Sequence, residues 1–101
     1  MRAMTAKQTA GQALPDPHTL ALQALAWLAS DEERLVRFLN LSGLTPRGLR
    51  ATATHPESLG AVLDYLLAWE PLLLSFSEEH GVAPEIVAHS RQRLPGAPLL
   101  N

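Results

Sequence analysis

The chain contains no cysteine, which excludes disulfide staples and thiolate metal sites. Aromatic residues are scarce, with two Trp, two Phe and a single Tyr. The strand-favouring residues as a group are sparse, and Ile occurs once. A surplus of charge is also missing. Eight basic residues face ten acidic ones, for a net charge of −2. That balance gives no overall attraction to nucleic acid or to an anionic membrane. Residues 1–13 lack the apolar centre of a secretory signal. The chain shows no internal repeat, no phosphate-cradling glycine loop and no G-x-S-x-G nucleophile elbow.

What the chain does have is helix-forming bulk. Leu and Ala supply 20 and 15 of the 101 residues. Both rank high in helix propensity, so composition alone predicts an all-helical protein of one domain. The greasiest block is 59–76, L-G-A-V-L-D-Y-L-L-A-W-E-P-L-L-L-S-F. It carries Asp64, Glu70 and Pro71. Each ionisable residue near its middle would cost roughly 2.5–3.5 kcal/mol on insertion into a bilayer. We therefore read the block as the wrapped centre of a cytoplasmic fold, not as a membrane span.

Capping signals divide the chain into short helices. Pro15-Asp16-Pro17 offers an N-cap followed by proline at the first helical position. Leu20, Ala24, Trp27 and Leu28 then recur at helical spacing, predicting a helix over 17–29. Ser30-Asp31-Glu32-Glu33 reads as a capping box with Ser30 as N-cap. It opens a helix over 31–41 with Leu35, Phe38, Leu39 and Leu41 turned inward. Gly43 suits a left-handed C-terminal cap. Thr45-Pro46 restarts a short helix over 46–53, and His55-Pro56 begins the next. Leu59, Val62, Leu63, Leu66, Trp69 and Leu73 form one apolar stripe on it. Pro71 predicts either a kink near Leu67 or a break at Glu70 with a new helix over 72–80. Gly81 closes that helix, and Ala83-Pro84-Glu85 opens a last one, to about 94. The expected product is a compact orthogonal bundle of five or six short helices spanning 15–95. A disordered lead-in over 1–14 precedes it, and a loose tail over 96–101 follows.

Three stretches carry a family resemblance: A-L-Q-A-L-A-W-L-A over 21–29, R-F-L-N-L-S-G-L over 37–44 and V-L-D-Y-L-L over 62–67. Together they resemble DUF3572, a family of small alphaproteobacterial proteins of unknown function. The resemblance spans about 20–96, and the 37–44 stretch is its most specific part. It implies a small soluble bacterial helical protein. It brings no activity, cofactor or catalytic residue.

Candidate chemistry is thin. His18, His55, His80 and His89 lack the i, i+4 spacing of paired ligands on a helix face, so no metal site is expected. Asp64 and Glu70 are six residues apart, which leaves them about 120° from coincidence on one helix. They do not form a catalytic dyad on that spacing. Asp64 is better read as a structural ion pair with Arg50 or Arg37, and its removal is expected to lower stability. Leu72, Leu73 and Leu74 are consecutive, so at least one must approach the surface. Trp69, Leu72, Leu74 and Trp27 are the candidate interaction surface.

The reading that follows is a non-catalytic protein–protein interaction or regulatory module without cofactors, binding an unidentified protein partner or itself. A nucleic-acid binder using Arg47, Arg50, Arg91 and Arg93 is the alternative. An enzyme working through Asp64 or Glu70 is the second alternative.

Overall fold

The structure, a computed structural model, describes residues 15–96. The expected lead-in over 1–14 and the tail beyond 96 lie outside the described residues. Six α-helices occupy the described part: α1 Pro17–Ala29, α2 Glu32–Ser42, α3 Pro46–Thr52, α4 Pro56–Leu67, α5 Glu70–His80 and α6 Pro84–Gln92. No strand occurs among the described residues.

Helix starts follow local chemistry closely. Asp16 accepts from the backbone N–H of Thr19 at 3.0 Å, and Pro17 sits in the first turn of α1. That backbone donor holds the Asp16 carboxyl below its ordinary pKa, because it favours the charged form. Thr45 caps α3 in the same way, accepting from Gly48 N–H at 3.0 Å. Gly43 closes α2 at φ 77°, a left-handed conformation that a side chain resists. Gly81 closes α5.

One cap differs from the sequence expectation. The N-cap of α2 is Asp31, which accepts from Arg34 N–H at 3.0 Å. Ser30 instead ends α1, and its hydroxyl donates to the Trp27 carbonyl at 2.8 Å. Both residues are good caps, and the two-residue turn between α1 and α2 lets Ser30 serve the helix behind it. Leu41 also departs from expectation: it is 66% exposed. The inward side of α2 is carried by Phe38, with Leu35 and Leu39 half-buried.

Pro71 separates two helices. α4 ends at Leu67, and α5 starts at Glu70, with the chain bending by 106° between them. Proline in the first turn loses nothing, since its missing N–H would have had no helical acceptor there. The new helix begins two residues earlier than the sequence suggested. No single helix among the described residues is long and apolar enough to cross a membrane.

α4 is the hub, packed against α1, α3, α5 and α6. Leu59, Val62, Leu63 and Leu66 recur at i, i+3, i+4 and i+7, and all are at most 2% exposed. Burial of each stabilises the fold by about 1.5–3 kcal/mol. Leu20, Ala24 and Leu28 of α1, Phe76 of α5 and Val87 of α6 close around them. The greasy block is therefore the structural centre, as its composition required.

Candidate functional site

Two features stand out from this frame: a buried arginine that ties α4 to α6, and a groove between α2 and the start of α5.

Arg91, on the last turn of α6, is 6% exposed. Its Nε donates to Asp64 Oδ1 at 2.7 Å and its Nη2 to Asp64 Oδ2 at 3.0 Å. The remaining donors reach the carbonyls of Pro95 at 3.3 Å and Gly96 at 3.1 Å. A guanidinium offers five N–H donors in a fixed fork, which is why arginine can hold a carboxylate and two carbonyls at once. Asp64 is thus a structural ion-pair member, but its partner is Arg91, where the sequence reading named Arg50 or Arg37. Twenty-seven residues separate the pair, and no local spacing encodes it. Gly60, one turn before Asp64, makes room for the guanidinium.

The groove has a volume of about 590 Å³. Trp27, Arg34, Arg37, Tyr65, Trp69 and Leu72 are among its lining residues. Trp27 forms part of its floor and is only 6% exposed, so it belongs to the core. Its indole N–H donates to Glu79 Oε1 at 2.9 Å, and its ring meets Phe76 edge-on with centroids 5.4 Å apart. Arg34 lies 4.0 Å above the same ring and donates through Nε and Nη2 to the Trp27 carbonyl, closing the end of α1. The expectation that Trp27 is a surface residue is corrected: Phe76, Glu79 and Arg34 enclose it.

Trp69 behaves differently. It caps α5 without a side-chain hydrogen bond and remains 40% exposed. The Arg37 guanidinium stacks over its ring at 4.0 Å. Arg34 and Arg37 stand three residues apart on α2, so one helix edge supplies both stacked cations. Tyr65 of α4 packs edge-on against Phe38, with centroids 4.8 Å apart. Its hydroxyl oxygen is buried without a hydrogen-bond partner among the described residues. Burial pushes the Tyr65 hydroxyl above its ordinary pKa, and the nearby Arg37 charge opposes the rise.

The other expected surface residues separate. Leu72 is 7% exposed and forms the inner wall of the groove. Leu74 is 48% exposed, but it lies with Glu78 and Gly81 on another side of α5. Two helical steps rotate a side chain by about 200°, so residues i and i+2 cannot share a face. Sequence reasoning missed Arg37 and Tyr65 as groove residues. The hint available was that Arg34 and Arg37 sit on the polar edge of a helix preceding the exposed Trp69.

Glu70 is exposed in the first turn of α5, where its charge suits the positive helix end. With Asp64 on α4 and held by Arg91, the two carboxylates belong to different helices and different settings. Among the described residues, no three or more His, Asp or Glu side chains gather in a way that could hold a metal ion. His55 donates through Nδ1 to the Ala51 carbonyl at 2.8 Å, and His80 through Nδ1 to the Phe76 carbonyl at 3.2 Å. Both are helix-end or helix-surface contacts.

No curated protein and no solved structure matches the chain. A family model does, over residues 15–97, described as Protein of unknown function (DUF3572). The match covers all six helices, the Arg91–Asp64 tie and the Trp69 groove, and the chain belongs to the DUF3572 family.

Proposed function

We propose that the protein is a non-catalytic interaction module of the cytoplasm, docking a protein partner in the groove beside Trp69. The observation that supports this reading is the exposed Trp69 ring carrying a stacked Arg37, next to the apolar wall of Leu72. Trp, Tyr and Arg are the residue types most enriched at binding hot spots, and all three line this one groove.

The nucleic-acid alternative is weakened by the burial of Arg91, whose donors are spent on Asp64 and two carbonyls. The acid–base alternative is weakened by the separation of Asp64 and Glu70 onto two helices.

The test is affinity capture from native cell extract with the wild-type chain and with Trp69→Ala, alongside light scattering of the pure protein. A partner, or a second copy, retained by the wild type and lost by Trp69→Ala is expected. A strict monomer that captures the same proteins with and without Trp69 would refute the reading.

A further inference from the structure

We propose that the outer side of α2 receives a second copy of this chain, helix against antiparallel helix, about a two-fold axis level with Leu35. This rests on the docking reading above and names its partner: Glu33 of each copy meets Arg37 of the other, beside the exposed Trp69.

α2 packs chiefly on α1. Its other side is open, with Glu32, Glu33, Val36, Arg37, Asn40 and Leu41 all exposed. Glu33 and Arg37 stand one turn apart and form a ridge between two hollows. One hollow is the groove beside Trp69, and the other is lined by Val36 and Leu41. Five large apolar side chains are exposed among the described residues, and three of them, Val36, Leu41 and Trp69, flank this ridge.

The charges select the occupant. The groove beside Trp69 sets Asp31, Glu33 and Glu79 against Arg34 and Arg37, so it favours neither an acidic nor a basic partner. Asp31, Glu79 and Arg34 are used inside the fold, as the cap of α2, the acceptor of the Trp27 indole and the closure of α1. Glu33 and Arg37 remain, one of each sign. Among the described residues they do not pair with each other, and the Arg37 guanidinium lies over the Trp69 ring. Arg37 also faces the Tyr65 hydroxyl, but a guanidinium has five N–H donors and this side chain is exposed.

An acid and a base one turn apart on an open helix complement their own copy under a two-fold axis. An axis midway between residues 33 and 37 forms the Glu33–Arg37 pair twice. A parallel alignment in register would set Glu33 against Glu33 and Arg37 against Arg37, which repel. The two-fold also brings like flank to like flank. Val36 then faces Val36 of the second copy, and each ridge can enter a hollow of the other.

Sedimentation equilibrium of the full chain across a concentration series tests this, with circular dichroism checking that each variant folds. The wild type should form dimers that added salt weakens. Glu33→Arg alone and Arg37→Glu alone should each weaken the dimer at least about tenfold, since each turns two attractive pairs into two repulsive ones. The double variant should recover it. An equimolar mixture of the two single variants should form a heterodimer, because their charges are complementary again. Val36→Asp, on the exposed side of α2, should abolish the dimer without unfolding the chain. A wild type that stays monomeric would overturn the inference. So would a dimer indifferent to both reversals, or a mixture that does not recover association. A monomer that still loses captured proteins with Trp69→Ala would overturn the second copy and leave the docking reading standing.

Discussion

Gly60 and Arg91 compete for one space: a Cβ on Gly60 would fall 2.6 Å from Cζ of the Arg91 guanidinium. Gly60→Ala would gain up to about 1 kcal/mol of helix propensity. It would also push aside a guanidinium pinned by Asp64, Pro95 and Gly96. Overpacking a tight site costs about 1–3 kcal/mol, so a net loss of up to about 2 kcal/mol is expected. Denaturant unfolding checks it, and a more stable Gly60→Ala would show that the guanidinium can retreat freely.

Asp64→Ala removes the bidentate acceptor and leaves a buried guanidinium on two carbonyls. The carboxylate is 48% exposed, so solvent replaces part of what is lost. The expected destabilisation is about 1–3 kcal/mol, below that of a fully buried pair. For a domain this size each kcal/mol lowers Tm by about 4–8 °C. Combined with Gly60→Ala the loss should be less than additive, because both variants act through Arg91.

The two tryptophans should separate stability from binding. Trp27→Ala opens the core beneath α5 and breaks the bond to Glu79, at an expected cost of about 3–5 kcal/mol. Trp69→Ala should cost far less, because the ring is 40% exposed. Thermal unfolding of both variants checks this order. Equal losses would mean that Trp69 is a core residue in solution.

Tyr65 is the single tyrosine, so absorbance of the phenolate reports its ionisation without overlap from another tyrosine. Burial raises its pKa, so the midpoint should lie above the ordinary value of about 10 in the folded protein and return to it in denaturant. A folded-state pKa above the unfolded one means the contribution to stability is full below about pH 10 and fades as pH rises through the folded value. Stability should therefore decline above pH 10, and less so in Tyr65→Phe. A folded midpoint at or below 10 would show that burial does not outweigh the opposing Arg37 charge.

The sequence alone determined the elements. Proline after a capping residue, glycine after an apolar run and leucines at i, i+3, i+4 and i+7 act through backbone geometry and local hydrogen bonds, within a turn or two of the residues concerned. Hence the six helices lie near where those signals put them, and Pro71 starts a helix. Where two caps stood side by side, as at Ser30 and Asp31, local chemistry was ambiguous and the short turn decided. The tertiary structure alone decided the partners. Asp64 could have met any arginine that the helix packing brought near, and the packing of α6 on α4 brought Arg91. Trp27 and Trp69 are chemically identical and both follow apolar runs, yet one is enclosed by Phe76, His80 and Arg34 and the other is left at the surface. That difference arises from the 106° turn between α4 and α5, a relation between helices that no periodicity within either one encodes.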